Sequence, residues 1–123
     1  MPTKAIRPAH RTDSDFAKRD LDFAKSDLAE LERKAGEATA LLKLLANENR
    51  LLILCRLALA GEMSVTALAE AGNLSQSALS QHLAKMRDDG LVATRRDAQT
   101  IFYRIADPKA ARLLALLKDI YCP

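Results

Sequence analysis

Two kinds of side chain in this sequence can do chemistry near neutral pH: the thiols of Cys55 and Cys122, and the imidazoles of His10 and His82. A thiolate attacks electrophilic sulfur, and a second thiol can resolve the product into a bridge. Taken alone, Cys55 lies mid-helix in Leu51-Leu52-Ile53-Leu54-Cys55-Arg56-Leu57 and reads as a small core residue. Cys122 is penultimate, in Ile120-Tyr121-Cys122-Pro123. The two thiols do not form a C-x-x-C pair, no Cys–His pair is suggested, and no glycine-rich phosphate loop exists. The sequence therefore predicts a protein that is not an enzyme and needs no cofactor.

A second constellation is polar rather than reactive. Over Ser75–Asp89, Leu79, Leu83 and Met86 recur at i, i+4 and i+7 and form a core stripe. Gln76, Ser77, Ser80, Gln81 and Ala84 fall away from it, a face nearly free of charge over two turns. Solvated helix faces favour Glu and Lys. Gln and Ser bring no charge there, but they hydrogen-bond base edges and phosphates. Ser75 caps this helix, His82 is structural or DNA-contacting, and Lys85 lies further along. A basic hairpin tip follows, with Arg95, Arg96, Gln99 and Thr100. Such a tip lies along phosphates or enters a minor groove. Together these residues read as a double-stranded DNA interface.

The positioning elements follow from periodicity. Asn49 to about Ala60 is a helix ended by Gly61. Ser64 caps a short helix to about Ala71, and Gly72-Asn73 turns the chain into the polar helix, which Gly90 stops. Leu91–Arg96 and Gln99–Ile105 alternate as strands around a turn at Asp97-Ala98. Pro108 opens a last helix whose Leu113, Leu114, Leu116, Leu117 and Ile120 must bury in a core or a subunit interface. Two short helices before a hairpin is the order of a winged helix–turn–helix. The fold class is mainly α with one small β-hairpin.

Upstream, residues 13–35 read as a separate helix, capped by Asp13 or Ser14. Ala17, Leu21, Ala24, Leu28, Leu31 and Ala35 make a heptad seam on it. Such a seam needs a partner helix, either within the chain or across a dimer. Residues 37–46 continue as an apolar helix after Gly36. Residues 1–12 form a basic arm with Lys4, Arg7 and Arg11, a flexible tail or a nonspecific DNA contact. Residues 13–123 then form one domain.

Composition sets the outer bounds. The chain has 123 residues, 19 Lys+Arg against 16 Asp+Glu, and a net charge of +3. That total argues little for nucleic acid, so the DNA case rests on local arrangement. Apolar residues are 49% and charged ones 28%, values of a globular chain. No apolar run is long enough to span a membrane, and the N-terminus has no apolar signal region. A cytoplasmic location, where two lone thiols stay reduced, is the expectation.

Residues 41–122 resemble the ArsR family of small bacterial repressors. The matching stretches are Leu44-Leu45-Ala46-Asn47-Glu48-Asn49-Arg50-Leu51, Leu74-Ser75-Gln76-Ser77-Ala78-Leu79-Ser80-Gln81-His82-Leu83 and Asp89-Gly90-Leu91-Val92. The resemblance implies a homodimer, joined mainly through its first and last helices, that releases operator DNA on induction. One metal site common in the family uses a Cys-x-Cys pair, but Ser64 and Thr66 stand there. Another uses His and carboxylates on the last helix, where residues 108–122 offer only Asp119. No metal is therefore expected at either site. The sequence is more similar to the persulfide-sensing branch, with Leu-Ile-Leu-Cys early and Ile-Tyr-Cys at the end. That branch implies an inducer persulfide or polysulfide that bridges Cys55 and Cys122 within one protomer, often as a tetrasulfide. It also implies target genes for sulfide oxidation and sulfur detoxification. The alternative is a general thiol-oxidant sensor forming a direct Cys55–Cys122 disulfide.

Overall fold

The computed structural model describes residues 22–123. The basic arm, the cap at Asp13 or Ser14, and Ala17 and Leu21 of the seam lie outside the described residues. The chain divides into two compact units, Met1–Thr39 and Ala40–Pro123.

Helix α1 spans Lys25–Leu45. Its start corrects the expected helix over 13–35, because residues 22–24 are not helical. Asp27, at the third helical position, reaches back and accepts the Ala24 N–H at 2.9 Å. That contact satisfies one donor that a helix start leaves orphaned. The helix continues past Gly36 as expected, since α1 runs through it to Leu45. One interior glycine costs a helix only about 1 kcal/mol relative to alanine. Leu28 and Leu31 of the seam are exposed on this helix.

In the second unit, helix α2 spans Glu48–Ala60, and Asn47 caps it by accepting the Arg50 N–H at 3.1 Å. Gly61, at φ 88°, ends it as expected. Strand β1, Met63–Ser64, follows. Helix α3 is Val65–Ala71, capped by Ser64, whose Oγ accepts the Ala67 N–H at 3.1 Å. Helix α4 is Gln76–Asp88. Its end forms a Schellman motif. The Leu91 N–H donates to the Met86 carbonyl at 2.8 Å and the Gly90 N–H to the Arg87 carbonyl at 3.0 Å, with Gly90 at φ 77°. Leu91 and Met86, the hydrophobic pair of that motif, are both fully buried.

Strands β2 (Val92–Asp97) and β3 (Thr100–Ile105) form the hairpin, and the sheet order is β1-β3-β2, all antiparallel. Strand β1 leaves no mark in the sequence, because two residues are too short to show alternation. Helix α5, Pro108–Tyr121, begins with Pro108 in its first turn as expected. Asp107 caps it, accepting the Lys109 N–H at 2.8 Å.

One core joins these elements. Leu45, Ile53, Leu54, Leu57, Leu68, Leu79, Leu83, Met86, Leu91, Val92, Ala110 and Leu114 are buried together. Helix α5 gives only part of its apolar surface to that core. Leu116, Ile120 and Tyr121 are exposed, as are Leu42 on α1 and Leu52 and Leu59 on α2.

The hairpin turn sits one residue later than expected, at Ala98-Gln99, because Asp97 pairs with Thr100. Ala98 has φ 55° and is the non-glycine residue at positive φ among the described residues. Two-residue hairpins favour such conformations because they match strand twist, and glycine normally supplies them. An L-residue pays about 1–2 kcal/mol there, while glycine loses about 0.5–1 kcal/mol more entropy on folding. Ala98→Gly is therefore expected to stabilise the protein by about 0.5–1 kcal/mol in urea unfolding. A lower unfolding midpoint would show that the turn is unstrained.

Candidate nucleic-acid interface and thiol pair

Packing fixes which face of α4 is presented. Leu79, Leu83 and Met86 are at most 1% exposed, as the stripe predicts. Gln76, Ser77, Ser80, Gln81 and Ala84 are exposed, and His82 is half-buried beside the core. Some of the polar residues have local partners. The Ser75 Oγ accepts the Ala78 N–H at 3.2 Å and lies 3.3 Å from the Ser77 hydroxyl. Gln76 Nε2 donates to Thr66 Oγ1 across a long 3.5 Å, linking α4 to α3. Lys85 pairs with Asp89 at 3.0 Å, one turn on. Ser80 and Gln81 carry no such tie among the described residues.

Ser64 and Thr66 have structural tasks. Ser64 caps α3, and Thr66 accepts from Gln76.

The two wing arginines separate. Arg95 donates through Nε to both Glu62 oxygens, at 3.1 and 3.3 Å, and through its terminal nitrogen to Oε1. Its guanidinium also lies 4.8 Å from the Phe102 ring centroid, across the strand pair. Glu62 precedes β1, so this contact ties the loop before α3 to the wing. Hydrogen bonding from Arg95 holds the Glu62 carboxyl below its ordinary value of 4.5. The tie is thus complete at neutral pH and is lost as pH falls below the usual carboxylate range. Sequence reasoning missed Glu62, since a partner 33 residues away leaves no local signal. Arg96 lies opposite Ile101 on the other sheet face and is exposed, with no ion pair among the described residues. Gln99 and Thr100 are exposed at the tip.

Cys55 departs from its expected core position. The buried stripe of α2 is Ile53, Leu54 and Leu57, and Cys55 sits on the flank, exposed. Cys122 is the C-cap of α5, its N–H donating to the Lys118 carbonyl at 2.7 Å. Both thiols are free and exposed. Partial desolvation raises the Cys55 pKa above 9.0, the nearby Cys122 raises it further, and Arg56 opposes the shift. The fold thus puts the two thiols, 67 positions apart, within electrostatic reach.

A family model described as bacterial regulatory protein, arsR family, matches residues 47–94. The transcriptional activator HlyU of Vibrio cholerae is 50% identical over 96 residues, which span 78% of this chain and 88% of HlyU. The chain belongs to the ArsR family. The biofilm growth-associated repressor of Agrobacterium fabrum is 45% identical over 102 residues, covering 83% of this chain and 86% of that one. The crystal structure of the repressor BigR from Xylella fastidiosa matches with a TM-score of 0.72 at 39% identity, over 82% of this chain and 99% of BigR. This ArsR-family chain is therefore a transcriptional regulator with a winged helix–turn–helix fold, and regulators of this family bind DNA.

For an ArsR-family protein these placements give different expectations for the two arginines. Arg96→Ala should lower the slope of log affinity against log salt by about 0.9 for each phosphate that Arg96 neutralises. Arg95→Ala and Glu62→Gln should instead loosen the wing, read as faster amide hydrogen exchange along β2 and β3. Equal salt slopes for Arg96→Ala and the unaltered protein would remove Arg96 from the interface.

Proposed function

We propose that this regulator is a homodimeric repressor that senses reactive sulfur species through Cys55 and Cys122 and releases operator DNA when sulfur bridges them. The observation that carries the reading is the pair of free, exposed thiols on α2 and at the end of α5, within electrostatic reach of each other. The exposed Leu116, Ile120 and Tyr121 on α5, with Leu42 on α1, support a second copy as the cover for that apolar surface. In this reading Ser75, Gln76, Ser77, Ser80, Gln81, His82, Lys85, Arg96, Gln99 and Thr100 face the operator, and Arg95 holds the wing in place. HlyU is named an activator and BigR a repressor, so the direction of control is part of this proposal. The protein would act in the cytoplasm, without cofactor or membrane, and would catalyse no reaction. No described helix is long and apolar enough to cross a membrane.

The chemistry balances without another oxidant. The Cys55 thiolate attacks the outer sulfur of a persulfide RS–SH, forming Cys55–S–SH and releasing RS⁻. Cys122 reacts likewise with a second persulfide. The deprotonated Cys122 persulfide then attacks the Cys55 Sγ, expels HS⁻ and closes a three-sulfur bridge, so sulfane sulfur is reduced to sulfide. Longer donors leave longer bridges. The bridge would fix α2 to α5 and tilt the paired recognition helices, whose half-sites lie about 34–36 Å apart. A small tilt then spoils simultaneous docking.

Intact mass beside operator binding tests the reading. Glutathione persulfide should add bridging sulfur between Cys55 and Cys122 and release DNA. Cys122→Ser should bind DNA and ignore the inducer. A bridge-free mass with released DNA overturns the mechanism, and release by peroxide with a direct disulfide favours a general oxidant sensor. Because the Cys55 thiol is raised, its modification should speed up about tenfold per pH unit through the neutral range, as the thiolate fraction grows. A flat profile would mean that ionisation of Cys55 is not limiting.

A further inference from the structure

A cavity of about 240 Å³ opens in the second unit, between α2 and the turn that leads into α4. Asn49, Leu52, Ile53 and Arg56 give one wall, from a single face of α2, and Gly72, Asn73 and Leu74 give the opposite rim. Leu68 and Leu79 close its floor. Arg56 is half-buried, with its guanidinium laid against Gly72, where a Cβ would meet Nε at 3.7 Å. No carboxylate pairs with it among the described residues, although Arg33, Lys85 and Arg95 all have one. A partly desolvated cation, two rim amides and an apolar floor together suit an anion with a small organic body.

Cys55 does not line the cavity but neighbours two of its wall residues along α2. Cys55 directly precedes Arg56, and it follows the wall residue Leu52 by three positions. Side chains so spaced on a helix have Cβ atoms about 5–6 Å apart. Arg56 is near enough for its charge to favour the Cys55 thiolate. The volume falls below the range of about 300–1,000 Å³ that holds drug-sized ligands, and suits an amino-acid-sized molecule.

We propose that this cavity docks the carboxylate of a small amino-acid-derived persulfide on Arg56, with Asn49 and Asn73 at the rim, so that its outer sulfur reaches Cys55. This rests on the sulfur-sensing reading above and names the class of inducer that the site takes. The step it assists is the first transfer, in which the Cys55 thiolate takes the outer sulfur and the carrier leaves as its thiolate. Docking raises the local concentration of one donor class and sets its orientation.

The test compares cysteine persulfide with the persulfide of cysteine methyl ester, which lacks the carboxylate. Rates of Cys55 modification are read by intact mass in the full chain, in Arg56→Gln and in Arg56→Lys. Taking the ratio of the two donors within each protein cancels their unequal leaving groups. The acid-to-ester ratio is expected to fall about three- to tenfold in Arg56→Gln, the range for a charge-assisted contact at a partly exposed site. Arg56→Lys should restore most of it, and high salt should erode it in the unaltered protein. An unchanged ratio overturns the docking role. An unchanged ratio with a shallower salt slope of operator binding assigns Arg56 to DNA phosphate instead. If neither donor modifies Cys55 in the unaltered protein, the sulfur-sensing reading fails, and the docking role fails with it.

Discussion

The burial of Leu79, Leu83 and Met86 is the constraint on which the DNA-binding half depends. These three residues place α4 in one buried cluster with Leu54 and Leu57 of α2, Leu68 of α3, Leu91 and Val92 at the start of the wing, and Leu114 of α5. A helix held by one stripe can present only the opposite face, and on α4 that face is Gln and Ser. The Schellman motif at Gly90 extends the same constraint. It carries the chain from α4 into β2 with Met86 and Leu91 packed on each other, so wing and recognition helix share one anchor. Large-to-small changes in such a core cost about 2–5 kcal/mol, a large share of a small domain's stability.

A second principle governs the charges. An arginine bound by a carboxylate and an aromatic face is a structural part, while an unpaired one remains open to a ligand. Arg95 is held by Glu62 and Phe102. Arg96 and Arg56 have no ion pair among the described residues, one on the wing and one in a cleft. The net charge of +3 conceals this division, because it counts tethered and untethered cations alike.

Much of this was legible in the sequence because it is local. The i, i+4, i+7 spacing of Leu79, Leu83 and Met86, the caps at Ser64 and Ser75, and the stops at Gly61 and Gly90 are all short-range signals, and the structure follows them. Three kinds of feature were not legible. Strand β1 is two residues long and exists only because β3 passes beside it. Glu62 and Arg95 meet through tertiary folding alone. The start of α1 is set by Asp27 reaching Ala24, a weaker mark than the heptad seam that pointed further upstream. The flank position of Cys55 is hidden for a related reason. It lies in an apolar run, and such a run cannot say which of its members face inward until the neighbours of Ile53, Leu54 and Leu57 are known.

That flank position bears on how a thiol site could control DNA binding. A cysteine inside the core would be shielded, and modifying it would cost packing directly. On the flank of α2, Cys55 is open to reagents while its neighbours Leu54 and Leu57 remain fixed in the core that also holds α4. A cross-link from that flank to the end of α5 acts on two elements that already share this core. Close-packed interiors shift between discrete arrangements more readily than they stretch, so a local restraint moves whole helices. Allosteric coupling of about 1–3 kcal/mol, a factor of about 5 to 150 in affinity, is small beside a folding stability of about 5–15 kcal/mol. The proposed switch therefore needs no unfolding: it asks the core to choose between two packings while keeping the recognition stripe buried in both.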